Sequence, residues 1–95
     1  MSTVFDSIHN HYEHAVFDAV LAASSRFSHL SDPHIMADVA CVALNRLPPR
    51  YIRHDVDFSF YLTERERSEN ETAIAEAVEF AFQFVQAKVA MRARR

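Results

Sequence analysis

The sequence predicts a mainly α-helical domain with three main helices and one β-strand, at about residues 52–62. Apolar residues recur at helical spacing over most of the chain, whereas a single stretch alternates with a period of two. The 95 residues include no glycine, so hairpin turns and helix ends lack their usual residue, and an all-β fold is disfavoured. A chain this short makes one domain, residues 1–95, and its limited core favours oligomerisation.

The first helix is predicted from Val4 to about Phe27, with Ser2 or Thr3 as its cap. Its polar residues mostly lie opposite a stripe of apolar residues at i, i+3, i+4 spacing. That stripe consists of Phe5, Ile8, Tyr12, Ala15, Val16, Ala19, Val20 and Ala23.

The second helix is predicted to begin at Ser31-Asp32-Pro33, where a capping side chain precedes a proline that needs no N–H partner in the first turn. It is apolar on most of its circumference, which is typical of a central helix that is buried on more than one side. Cys41 is therefore expected to be a small core residue. Pro48-Pro49 stops the helix near Arg46, because the residue before a proline is disfavoured in the α region.

Residues 52–62 alternate between apolar and polar side chains, as a half-buried strand does. His54 falls on the apolar side of this strand. Asp55 and Asp57 fall on the other side, where they are expected to pair with Arg53. Because the chain offers no second strand, we expect the strand to pair antiparallel with its own copy in a homodimer.

The last helix is predicted from about Thr63 or Ser68 to Ala90, since both residues precede a glutamate at capping-box spacing. Two apolar stripes indicate core packing on one side and subunit contact on the other. The first stripe comprises Ile74, Val78, Ala81, Phe82, Val85 and Val89, and the second comprises Phe80, Phe84, Ala77 and Ala87. The end of this helix is positively charged, which is favourable at the negative end of the helix dipole. The charges are those of Arg92, Arg94 and Arg95.

The composition disfavours several classes of function. The net charge of −3 argues against direct nucleic-acid binding by the whole surface. No apolar run approaches the ~18 residues of a membrane span, and the N-terminus lacks a signal-peptide pattern. A single cysteine fits the reducing cytoplasm. With no glycine-rich loop and no nucleophile–base pair, we expect no enzymatic activity and no cofactor.

A cluster of histidines in the first helix has two interpretations. His11, His14 and Asp18 are spaced to share one helix face, with His9 nearby, and could hold a metal ion. The alternative is a solvated polar face. We favour the alternative, because the sequence shows no second group of ligands, and we expect no metal site.

A group of six residues near the end of the second helix has the chemistry of a nucleotide site. Arginines make bidentate contacts to phosphate or to a guanine edge, tyrosine stacks on bases, and aspartate accepts hydrogen bonds from guanine. The other interpretation is structural: the group caps the helix end and its arginines pair with aspartates. From the residues alone the structural interpretation is favoured. The six residues are Asn45, Arg46, Arg50, Tyr51, Arg53 and Asp57.

The run from Asp38 to Tyr51 resembles the signature of the late competence development protein ComFB family, and its most specific part is Ala-Leu-Asn-Arg-Leu-Pro-Pro-Arg-Tyr at residues 43–51. Residues 52–62 are similar to its proteobacterial branch, and the likeness extends loosely over nearly the whole chain. Members of this family are small, mainly helical dimers, and some are receptors for cyclic dinucleotide second messengers. The resemblance implies a dimer that binds cyclic di-GMP or cyclic di-AMP.

One feature of the family is missing from this chain. Members from Firmicutes hold zinc with a cysteine cluster ahead of the signature, whereas Phe27–His34 contains no cysteine, so the zinc is not carried over. The leading interpretation is a non-enzymatic signalling homodimer. Its three arginines would hold phosphates or guanine edges, while Tyr51 stacks on a base and Asp57 accepts from one. The alternative is an interaction module for an unknown protein partner, with a purely structural Leu-Pro-Pro-Arg-Tyr corner.

Overall fold

The computed structural model describes residues 3–93, apart from the side chains of Thr3 and Asp55, and is mainly α-helical as predicted. The predicted cap Ser2 and the terminal Arg94 and Arg95 lie outside the described residues. In chain order the elements are a 3-10 helix (Thr3–Ser7), β1 (His9–Asn10), α1 (Tyr12–Ala23), a second 3-10 helix (Ser24–Leu30), α2 (Pro33–Arg46), β2 (Tyr51–Ile52), α3 (Asp55–Tyr61) and α4 (Glu64–Ala93).

The core lies between α1, α2 and α4, and α2 packs against both of the other helices. Phe27 stacks on the buried Phe82 of α4, with ring centroids 4.4 Å apart and planes 6° from parallel. The 30 residues of α4 span about 45 Å at the usual helical rise, close to the longest dimension of the molecule, 48 Å. No helix within residues 3–93 is apolar over the length that a bilayer crossing requires.

The start and end of α2 are as predicted. The Asp32 side chain accepts a hydrogen bond from the N–H of His34 (2.8 Å), and Pro33 is the first helical residue. The helix ends at Arg46, and Leu47 is extended and buried. The prediction that Cys41 is a core residue is wrong: it is exposed, because α2 buries the sides that face α1 and α4 and leaves a third side open.

The prediction of one continuous helix over residues 4–27 is also wrong, because the helix is interrupted at Asn10. The Asn10 side-chain oxygen accepts hydrogen bonds from the backbone N–H groups of Tyr12 (3.2 Å) and Arg50 (3.3 Å). A short amide that bonds nearby backbone competes with helical hydrogen bonds. The residues before it form a 3-10 helix and β1, and those after Ala23 form the second 3-10 helix.

The strand predicted at residues 52–62 is wrong in extent, and the expectation that the chain offers no second strand is wrong as well. β2 has two residues and pairs antiparallel with β1 of the same chain, in the register that places Asn10 opposite Tyr51. The residues that follow form α3, whose first turn contains a hydrogen bond from the N–H of Phe58 to the carbonyl of His54 (3.1 Å). His54 is exposed beside the start of α3 and does not lie on an apolar strand face.

The physical reason lies in the length of the available partner strand. In a helix this alternation divides the apolar side chains between two sides, and accordingly Val56 and Phe60 are exposed whereas Phe58 is half-buried. β1 offers a ladder of two residues, and a longer strand would leave its backbone groups unpaired. A helix satisfies those groups within the segment itself. Pairing of this stretch with its copy across a dimer axis stays a prediction.

α4 begins at the first of its two predicted starts. The hydroxyl oxygen of Thr63 accepts a hydrogen bond from the N–H of Glu66 (3.1 Å), which satisfies one of the free donors at the helix start. The predicted core stripe of α4 is buried or half-buried, which confirms it. In the second stripe Ala77 is instead buried in the core, and the exposed members are Phe80, Phe84 and Ala87.

Candidate functional site

The two-stranded sheet fixes the segment that follows α2. The side-chain oxygen of Asn10 accepts from the N–H of Arg50, and the carbonyl of Arg50 accepts from the N–H of His11 (2.7 Å). Asn10 itself is almost fully buried. These hydrogen bonds hold the backbone of Arg50 and Tyr51 against the N-terminal segment, so their side chains project from a fixed base.

Arg50 and His11 both contact the ring of Phe58 on α3. The guanidinium carbon of Arg50 lies 4.4 Å from the ring centroid, and the His11 ring lies 4.3 Å from it with a tilt of 53°. A guanidinium over an aromatic face is attracted by the ring quadrupole and retains N–H groups at its edge for other partners. Arg50 is exposed, so those N–H groups face solvent.

The other predicted residues of this segment, Tyr51, Arg53 and Asp57, follow Arg50 in the sequence and are exposed. Tyr51 leaves 68% of its surface open to solvent. The Nε–H of Arg53 donates to the hydroxyl oxygen of Ser7 (3.1 Å). Within the described part of the chain Asp57 makes no ion pair, so its predicted pairing with Arg53 across a sheet is wrong. The predicted partner Asp55 has its side chain outside the described residues. We call Arg50, Tyr51, Arg53 and Asp57, with His11 and Phe58, the β2 corner.

Asn45 and Arg46 are directed to other parts of the molecule. The side chain of Asn45 donates to the carbonyl of Cys41 (3.0 Å), one turn back in its own helix. The guanidinium carbon of Arg46 lies 3.9 Å from the ring centroid of Phe80 on α4. These contacts separate both residues from the interactions of the β2 corner. Neither side chain is seen to cap an unpaired carbonyl at the end of α2.

Four contributors to the corner were missed by sequence reasoning: Ser7, Asn10, His11 and Phe58. Asn10 gave a usable signal, because a short amide side chain commonly hydrogen-bonds to nearby backbone in place of helical bonds. Phe58 was assigned to a strand, where its ring could not have been placed over His11. The contacts of Ser7 and His11 depend on the pairing of β1 with β2, which no local pattern specifies.

The predicted histidine cluster does not form a ligand set. His11 contacts Phe58, and His14 is exposed on α1. In the described part of the chain, no three His, Cys, Asp or Glu side chains are grouped closely enough to hold a metal ion.

An open apolar groove of about 600 Å³ lies between α1 and α2, away from the β2 corner. It is lined mostly by aliphatic and aromatic side chains, among them Phe17, Leu21, Met36 and Leu44. A groove without charged groups does not suit a ligand that carries phosphates, because each phosphate loses hydration without gaining a partner. The β2 corner is therefore the better candidate for a nucleotide, although it is a surface and not an enclosed cavity.

Comparison with known proteins gives one family. The family model described as late competence development protein ComFB matches residues 9–89. No curated protein matches the chain, and no solved structure matches it. The matched range begins at β1 and reaches into the last turns of α4, so it includes the whole β2 corner but not the neighbouring Ser7.

Proposed function

The chain belongs to the late competence development protein ComFB family, and on that basis we propose a small, non-enzymatic signalling protein. It acts as a homodimer and binds a cyclic dinucleotide, cyclic di-GMP or cyclic di-AMP, at the β2 corner. The observation that carries the proposal is the placement of two exposed arginines on either side of the exposed Tyr51, on a backbone held by Asn10.

The chemistry of the corner matches that of the ligand. A cyclic dinucleotide carries two phosphates, and Arg50 and Arg53 supply two guanidinium groups for them. Tyr51 offers an open ring on which a base stacks, which contributes ~1–3 kcal/mol per base in comparable sites. Asp57 is free to accept hydrogen bonds from the N–H groups of a guanine. Arg46 and Asn45 are not part of this proposal, because their contacts lie elsewhere.

Isothermal titration with each of the two cyclic dinucleotides tests the proposal. We expect heat for the unmodified protein with at least one ligand, and its loss in Arg50→Ala and in Arg53→Ala. Arg26→Ala is the matched control, because Arg26 is an exposed arginine that pairs with Glu79 beyond the far end of α1. Affinity carried by phosphate contacts is also expected to fall as salt is added.

A second candidate function is favoured by α3. Its Val56, Phe60 and Tyr61 are each more than four-fifths exposed, which is unusual for three apolar side chains on a helix of seven residues. This is the pattern of an interaction module with a structural corner. Absence of heat with both cyclic dinucleotides, from a folded protein, would sink the first proposal and favour this one.

A further inference from the structure

The open side of α4 carries a row of side chains spaced four residues apart, which we call the α4 row: Glu76, Phe80, Phe84 and Lys88. Residues at this spacing form one ridge of a helix. The rings of Phe80 and Phe84 lie 5.9 Å apart and remain 38% and 44% exposed. The core contacts of α4 use Val78, Phe82 and other residues on the opposite side, so the row faces away from α1.

Neither charge of the α4 row has an ion-pair partner in the described part of the chain, and the acidic group that shares a pocket with Lys88 is Asp38 of α2. Glu76 and Lys88 are 12 positions apart, about 18 Å along a helix, and so cannot pair with each other in one chain. Glu76 and Lys88 are equally distant in sequence from the midpoint between Phe80 and Phe84. If a second copy of the row is laid against the first in the opposite direction, each glutamate therefore meets a lysine.

We propose that the α4 row is the homodimer interface, in which two α4 helices pack antiparallel about a two-fold axis between Phe80 and Phe84. Under that symmetry Glu76 faces Lys88 of the partner subunit, and Phe80 faces Phe84 of the partner subunit. Each contact occurs twice, as an isologous interface requires. The inference rests on the homodimer of the proposed function and names its surface.

Charge complementarity selects a second copy of this chain as the occupant. A different partner would need an unrelated surface of matching charge, whereas the reversed row already supplies negative, aromatic, aromatic and positive groups in the required order. Arg46 and Lys88 lie over the rings of Phe80 and Phe84, at 3.9 and 5.7 Å from the centroids. These cations over the ring faces cover part of the apolar surface in the separate subunit.

Charge reversal tests the interface with variants whose substituted side chains are exposed. In Glu76→Lys, and separately in Lys88→Glu, like charges meet twice per dimer, so we expect the dissociation constant to rise about tenfold. The double variant Glu76→Lys/Lys88→Glu restores both pairs and is expected to dimerise like the unmodified protein. An equimolar mixture of the two single variants is expected to form a heterodimer, because each chain then complements the other.

Sedimentation equilibrium and native mass spectrometry measure these states, with circular dichroism as the check of folding. Phe60→Ser on α3 is the control and is expected to leave the dimer intact. A dimer that responds to Phe60→Ser and not to the charge reversals would overturn the α4 interface and leave the homodimer standing. A protein that is monomeric at all concentrations would overturn both the interface and the homodimer. Ligand titration reports on the β2 corner separately.

Discussion

Among single residues, Asn10 makes the contact on which the β2 corner depends. Its side-chain oxygen joins Tyr12, two positions ahead, to Arg50, 40 positions ahead. Its backbone N–H donates to the carboxylate of Glu13 (3.3 Å). A buried group that serves several backbone donors is sensitive to truncation, because each donor left unpaired carries the full penalty of its desolvation.

We expect Asn10→Ala to lower the free energy of unfolding by ~1–3 kcal/mol, since one buried and one part-buried backbone donor lose their acceptor. Asn45→Ala is the matched control: Asn45 is exposed and bonds its own helix, so we expect a change within about ±0.5 kcal/mol. Urea denaturation measures both. Equal effects of the two substitutions would contradict the role assigned to Asn10.

The Arg26–Glu79 ion pair predicts a dependence of stability on pH. The hydrogen bond from Arg26 (3.0 Å), with a second from Gln83, holds the pKa of the Glu79 carboxyl below its ordinary value. A lowered folded-state pKa stabilises the protein above the unfolded-state pKa, and this contribution is lost as the pH falls through the folded-state pKa. Arg26→Gln is therefore expected to be less stable than the unmodified protein at neutral pH, with a difference that narrows on acidification.

Urea midpoints at neutral pH and at about pH 3, where carboxyl groups of ordinary pKa are protonated, measure that difference. If the urea midpoints of the two proteins differ by the same amount at both pH values, the ion pair does not make the proposed contribution to stability.

At the scale of elements, both long helices after the second 3-10 segment begin with a capping side chain that the sequence identifies. Asp32 caps α2 and Thr63 caps α4. The alternative start of α4, at Ser68, lies inside the helix, and Ser68 is exposed. A cap satisfies a free N–H at the helix start, whereas a serine inside a helix has lower propensity than alanine.

Thr63→Ala is expected to destabilise the protein by ~0.5–2 kcal/mol, because the N–H of Glu66 loses its acceptor. Ser68→Ala removes the same kind of hydroxyl from a helix interior and is expected to be neutral or slightly stabilising. Thermal unfolding followed by circular dichroism compares the two. The opposite order of stability would place the start of α4 at Ser68.

On the scale of the whole molecule, the fold is a helical core with an unusually apolar surface. Phe82 is fully buried against Phe27, whereas Phe60 on α3 is 84% exposed. The core is small and depends on a few large side chains. Three apolar surfaces remain open: the groove between α1 and α2, the α4 row and the outer side of α3. This distribution is the one expected when subunits associate.

Truncation of one large core residue should consequently have a severe effect. We expect Phe82→Ala to lower the free energy of unfolding by ~3–5 kcal/mol, and Phe60→Ala to change it little in the separate subunit. Chemical denaturation at low protein concentration checks both values. A small effect of Phe82→Ala would show that the Phe27–Phe82 stack is not central to the core.

The fold class, the bounds of α2, the capped start of α4 and the α4 core stripe were predictable, because caps, prolines and helical periodicity act locally. The β1–β2 pairing and α3 were not. Asn10 disrupts the first helix through a bond to Arg50, which is remote in sequence. The alternation at residues 52–62 is typical of a strand, but β1 offers a ladder of only two residues, and this length is not visible in the alternation itself. Four of the predicted site residues lie in one segment: Arg50, Tyr51, Arg53 and Asp57. Arg46 instead contacts Phe80 on α4, and no local sequence pattern specifies that tertiary contact.

The hydrogen bond between Asn10 and Arg50 also has a kinetic consequence. It closes a loop of 40 residues that contains α1 and α2. Closure of a loop this long is entropically unfavourable until the helices inside it have packed, so we expect the two-stranded sheet to form late in folding. Contacts that are absent from the transition state act on unfolding and not on refolding. Substitutions at this hydrogen bond should therefore shorten the lifetime of the native state while the refolding rate stays unchanged.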